Sequence, residues 1–352
     1  MKTRLVLLVA ALQVLVLAFM AGQREWILHT GTPLVLRTAP IDPNDPMRGA
    51  FVRLNYEINA VPPALCRGET AKWVKDYDYR EAQRLRDRVV FAALKVNAYG
   101  LADLVSLSDT PPASGPYLRG RVMTADMNGV NVRFGIEAYF MHKDAARRME
   151  DMATEKAGAP MDVTVAVGSS GIAVLKDTAW EPLGITFTLD RPPQRPTPAP
   201  GQPWQPQPLL GLTVALHNYG DQDLAIVNLP EGKSFRLVPN TRFTGNNYAW
   251  AGEKSGDQPA PTAADILVLK PGAKHNVHLD FTQPRWWIVD TRKPGIEAIP
   301  FQKVPPGDAW STSFRIEYAP PGPDAVRGLP HAGLVRHVPL RSRAFNANQG
   351  VD

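Results

Sequence analysis

Apolar and polar positions alternate with a period of two through most of this chain, between turns rich in Gly, Pro, Asn and Asp, and that pattern predicts strands. From Gly49 onward, Ala50, Val52, Leu54, Tyr56 and Ile58 share one face while Phe51, Arg53, Asn55 and Glu57 share the other. This is the signature of a half-buried first core strand. Asp42-Pro43 and Asp45-Pro46 precede it, a rigid double turn because proline fixes φ and aspartate bonds the backbone just ahead. Leu34 to Leu36 reads as a short strand leading in. Hairpins are expected over 88–107, over 117–141 and over 163–175, the last around Gly168-Ser169-Ser170-Gly171. Helical spacing occurs twice. Thr70 to Arg86 carries a modest apolar stripe, and Asp144 to Ala157 has Asp144 as cap, Gly158 and Pro160 as stop signals, and a face expected to pack on the strands. These elements predict a small barrel-like β domain of about six to eight strands with one or two helices.

Alternation resumes at Leu183, Ile185, Phe187 and Leu189, breaks at the proline-rich 191–208 segment, and returns at Leu210 to Leu216. Further strands are expected at 224–229, 235–238, 266–269, 276–281, 313–318 and 334–340. Short strands at that spacing predict an immunoglobulin-like β-sandwich. The 191–208 segment reads as a stiff extended linker.

The amino terminus departs from both patterns. Lys2 and Arg4 precede an apolar run from Leu5 to Ala21 broken only by Gln13; at about 1.5 Å per residue it nearly spans a hydrocarbon core of roughly 30 Å. Cleavage after Ala21 or Gly22 would put Phe19 or Met20 where a small residue is required, which favours a retained anchor over a signal peptide. Basic residues ahead of the run place the amino terminus in the cytoplasm and the rest of the chain across the membrane. The expected organisation is therefore a mainly β protein: a transmembrane helix over 1–22, a β domain over 23–180 and a sandwich over 181–352.

Composition narrows the function classes. Of 352 residues 44% are hydrophobic and 21% charged, enough for two cores and unlike a disordered chain. The net charge of +5 is the small difference between 39 basic and 34 acidic residues, so no nucleic-acid partner is expected. The single Cys66 cannot form an internal disulfide. His275 and His278 lie three apart in an expected strand and point to opposite faces, and His331 and His337 are isolated, so no metal or cofactor is expected. No serine lies in a Gly-x-Ser-x-Gly elbow, and no phosphate-cradling glycine loop occurs.

Asp42, Asp45 and Arg48 could form a ligand site, or could be turn chemistry. Glu137 could join them or pair with Arg133 or Arg53 across the sheet. Trp286-Trp287 reads as core, with an exposed aromatic platform as the alternative.

Gly49, Leu54 and Tyr56 match the fixed positions of the Gly-Asp-Tyr-x-x-Leu-x-Tyr motif, with Ala50 and Phe51 where that motif has Asp and Tyr. Asp42-Pro43-x-Asp45-Pro46-x-Arg48 and Phe134-Gly135-Ile136-Glu137-x-Tyr139-Phe140 also resemble that bacterial family. The similarity covers roughly Met1 to Trp180. It implies a single-pass protein of the bacterial inner membrane with its bulk in the periplasm, and candidate binding residues Asp42, Asp45, Arg48, Gly49, Phe51 and Glu137. The expected role is non-enzymatic binding of another envelope component, a membrane or periplasmic protein. The alternative is a periplasmic hydrolase on a small barrel.

Overall fold

The computed structural model describes residues 2–38, 51–76, 78–140, 142–190, 207–240, 248–254, 258–293, 295, 297–304 and 312–349. The Asp-Pro double turn, with Asp42, Asp45, Arg48 and Gly49, and most of the proline-rich segment lie outside these residues. The chain divides into two compact units, one made of 1–38, 49–142 and 162–179, the other of 39–48, 143–161 and 180–352.

The first unit begins with helix α1 (Lys2–Thr30), apolar through the expected span. Its last turn closes on Gly31, whose N–H donates to the Ile27 carbonyl at 2.8 Å. Strand β1 (Thr32–Arg37) follows at once. After it come β2 (Phe51–Arg53), β3 (Ala60–Val61), helices α2 (Glu69–Lys75) and α3 (Tyr79–Leu85), and strands β4 (Val89–Val96), β5 (Ala102–Ser108), β6 (Tyr117–Asp126), β7 (Gly129–Arg133) and β8 (Ala138–Phe140). Helix α4 (Lys143–Glu155) precedes β9 (Met161–Val167) and β10 (Ala173–Trp180).

Five strands pair in the order β3-β7-β6-β4-β5, and three in the order β1-β9-β10. A parallel bridge from Val35 to Leu101 joins β1 to the start of β5, and the Arg119 N–H on β6 donates to Gly171 O in the β9–β10 turn. The result is a nearly closed, barrel-like sheet. Alternate residues Val90, Ala92 and Leu94, then Leu118 and Val122, then Val163 and Val165, are buried, as period-two alternation requires. Arg37 and Asp162, opposite each other on β1 and β9, form a two-bonded ion pair with both distances 2.8 Å. Gly120 is required on β6 because a Cβ there would lie 2.4 Å from Val132 Cγ1.

The second unit adds β11 (Leu183–Leu189), β12 (Gln207–Pro208), β13 (Gly211–Asn218), β14 (Leu224–Val227), β15 (Phe235–Pro239), β16 (Tyr248–Trp250), β17 (Ile266–Leu269), β18 (Lys274–Asp280), β19 (Ile288–Asp290), β20 (Ser313–Tyr318), β21 (Leu340–Arg341), β22 (Phe345–Asn346) and β23 (Asn348–Gln349). The sheet β11-β13-β18 and the sheet built on β15 and β20 feed one apolar cluster, through Ile185, Val214 and Leu279 from the first and Leu237, Phe314 and Ile316 from the second. Phe301, Phe281, Trp286 and Trp250 run through it as a chain of ring contacts, tilted, edge-on and stacked in turn.

Four expectations change. Of the strand expected from Gly49 to Ile58, Gly49 and Ala50 lie outside the described residues, and the rest holds β2 and an isolated bridge at Tyr56, because Asn59 folds the chain back into a turn. The helix expected over 70–86 is two, α2 and α3, either side of 76–78. Helix α4 joins the second compact unit rather than the barrel. The 334–340 alternation is mostly irregular: His331 adopts a left-handed φ of 60°, a short turn covers Ala332–Leu334, Val335 makes an isolated parallel bridge to Ala225, and only Leu340–Arg341 forms a paired strand.

Candidate functional site

The two motif stretches meet in the first unit. Leu54 N–H donates to Glu137 O at 2.7 Å, and Phe51 on β2 pairs with Phe140 on β8. Tyr56 Oη donates to Ile136 O at 2.9 Å. Asn59 links both sides: its Oδ1 accepts from Tyr56 N–H at 2.6 Å, and its Nδ2 donates to Val132 O at 2.8 Å and to Glu137 Oε1 at 3.1 Å.

Glu137 therefore does not act as half of a cross-strand pair with Arg133. Its Oε1 accepts the Phe134 N–H at 2.6 Å and its Oε2 the Gly135 N–H at 2.8 Å. Gly135 has a φ of 83°, so the return strand kinks there and the carboxylate caps the kink. Arg133 instead lies 3.6 Å from Asp87, while Arg121 Nη1 donates to the Asp87 carbonyl at 2.8 Å. Arg121 and Arg133 are directly opposite on β6 and β7, a like-charge pair that costs stability unless a counter-charge is near. Asp87, in the left-handed region at φ 65°, supplies it.

Burial first, and then the Glu137 charge, push the Tyr56 hydroxyl above its ordinary pKa of 10.0. The folded state thus keeps its proton where the unfolded chain gives it up. Stability from this group is complete below about pH 10 and falls as pH rises beyond it. Tyr56→Phe should cost about 1–2 kcal/mol, since it leaves a buried carbonyl unpaired, and should flatten the alkaline fall. Unfolding curves of both proteins across the alkaline range check this; equal slopes would contradict the assignment.

Elsewhere, Trp286 is 1% exposed, which places it in the core rather than on a platform. Arg285 lies 5.4 Å from the rings of both Trp250 and Trp286. His275 contacts Asn228 at 3.2 Å and His278 contacts Asp190 at 2.9 Å, so the two histidines serve separate neighbours. Among the described residues no group of three or more His, Cys, Asp or Glu is placed to hold a metal ion. Asn59 and Asp87 carry no motif; only their positions at turns after alternating segments single them out.

A buried Leu54 and Tyr56, tied to the Phe134 to Phe140 stretch by the Leu54 N–H and the Tyr56 hydroxyl, give the motif positions a common structural purpose. Residues 13–177 match the GDYXXLXY protein family. The GDYXXLXY segment thus ends inside β10, before the strands of the second unit. No match was found among curated proteins or solved structures.

Proposed function

We propose that this chain is a single-pass protein of the bacterial inner membrane whose periplasmic β domains bind another envelope component without catalysing a reaction. The observation that carries this reading is α1, which contains a candidate span at Val9–Thr30 and exposes Val6, Leu12, Leu15, Leu17 and Phe19. So long an apolar surface is unfavourable in water, and a bilayer removes the cost. The second unit is proposed as an immunoglobulin-like sandwich, supported by its two sheets over one aromatic core. Partner contact is assigned to Asp42, Asp45, Arg48, Gly49 and Phe51, with Glu137 holding the return strand beside Phe51.

The test has two arms. The protein should stay in the membrane fraction through a high-salt wash, and a reporter fused after Asp352 should be active only in the periplasm; a soluble, shortened species would overturn the anchor. Pull-down from native membranes should lose its partner in Arg48→Ala while the melting curve is unchanged. Retained partner at wild-type yield would remove Arg48 from the contact.

A further inference from the structure

We propose that the barrel end formed by the 97–100 and 168–171 turns, with Tyr117 and Arg119, rests on the phospholipid headgroups of the bilayer that α1 crosses. This rests on α1 being an anchor, and adds what the first unit does there.

Only Gly31 separates α1 from β1. Ile27, near the helix end, is 5% exposed, and its side chain covers Gly168, where a Cβ would lie 3.1 Å from Ile27 Cγ1. Within the candidate span Val9–Thr30 the apolar run ends at Ala21, and Gln23, Arg24 and Glu25 follow it; from Ala21 to Ile27 the helix rises about 9 Å at roughly 1.5 Å per residue. The headgroup layer on each side of the hydrocarbon is about 5–8 Å deep. Ile27, and the turn packed on it, therefore lie at the outer edge of the headgroups.

Two hydrogen bonds and one strand pairing extend that level around the barrel. Tyr117 Oη donates to Ser169 O at 2.7 Å, Arg119 N–H donates to Gly171 O at 2.7 Å, and Ala93 on β4 stands opposite Tyr117. Because β4 ends at Val96, the 97–100 turn is on the same rim. Its chemistry suits an interface: Tyr99 and Tyr117 are half-buried, Val96 is exposed, and Trp26 on α1 is exposed too. Arg119 is exposed and has no side-chain partner among the described residues, which leaves its guanidinium for a lipid phosphate. Lys95 on the same rim stands opposite Asp103 on β5.

The test uses full-length protein in nanodiscs of phosphatidylcholine and phosphatidylglycerol, with single dyes at Ala98→Cys, Ser170→Cys, Met127→Cys or Val14→Cys; the native Cys66 is buried. Spin labels on lipid headgroups should quench the dyes at 98 and 170. The dye at 127, roughly 30 Å further along β6 at about 3.3 Å per residue, should remain unquenched. Arg119→Gln should lower the quenching at 170, and discs of phosphatidylcholine alone should do the same. Equal quenching at 98, 170 and 127 would overturn the proposal if acyl-chain spin labels still quench position 14. Loss of quenching at 14 would overturn the anchor, and the proposal with it.

Discussion

Trp286→Ala should unfold the second unit at far lower denaturant than the wild type, at a cost of about 3–5 kcal/mol. The indole is 1% exposed and touches two rings, Phe281 at 5.6 Å and Trp250 at 6.1 Å between centroids. Truncation opens a cavity that the neighbouring rings cannot close. It also uncovers one side of Arg285, whose pKa is already lowered by burial, so a charge short of water loses a cation–π neighbour. Against a total of about 5–15 kcal/mol for a domain, that is a large share of the stability. Met127→Ala, at a residue 65% exposed, is the comparison and should stay within about 0.5 kcal/mol of wild type. Coincident urea curves for the two variants would remove Trp286 from the core.

Leu54→Ala should have the next largest effect, about 2–5 kcal/mol, felt in the first unit. Leu54 is fully buried, and its N–H is fixed to Glu137 O, so the backbone cannot move inward to refill the space. The substitution should lower the yield of folded protein and expose the 134–140 stretch to protease. Val96→Ala, on the exposed rim, should do neither. Wild-type protease resistance in Leu54→Ala would contradict the placement of the motif leucine.

These two residues differ in how readable they were. Leu54 shares parity with Tyr56 and Ile58, and burial of all three follows from alternation alone. The length of their strand did not follow, because one side chain, Asn59, bonds the Tyr56 N–H and ends the extended run. The break at Gly135 likewise depends on Glu137 reaching back to two N–H groups, a choice that a period of two cannot record. Hairpins β4–β5, β6–β7 and β9–β10 were legible because their turns carry Gly, with Asn or Ser, between alternating runs. Strands β16 and β19 were not, being three residues each and paired 40 residues apart in register. The candidate binding residues were legible only as a motif, and of them Glu137 proved to be engaged with backbone.

The order of the two units along the chain has a consequence for synthesis. β1 waits for β9, its partner more than 120 residues later, so the barrel cannot close until the β9–β10 hairpin has emerged. Residues 143–161, which belong to the second unit, emerge before that hairpin and must wait in turn for β11 and the strands beyond. A fragment stopped after Trp180 would carry a segment, 143–161, whose unit had never been completed. Neither unit is a contiguous cassette, and transplanting one into another protein would require moving 143–161 with its own sheet.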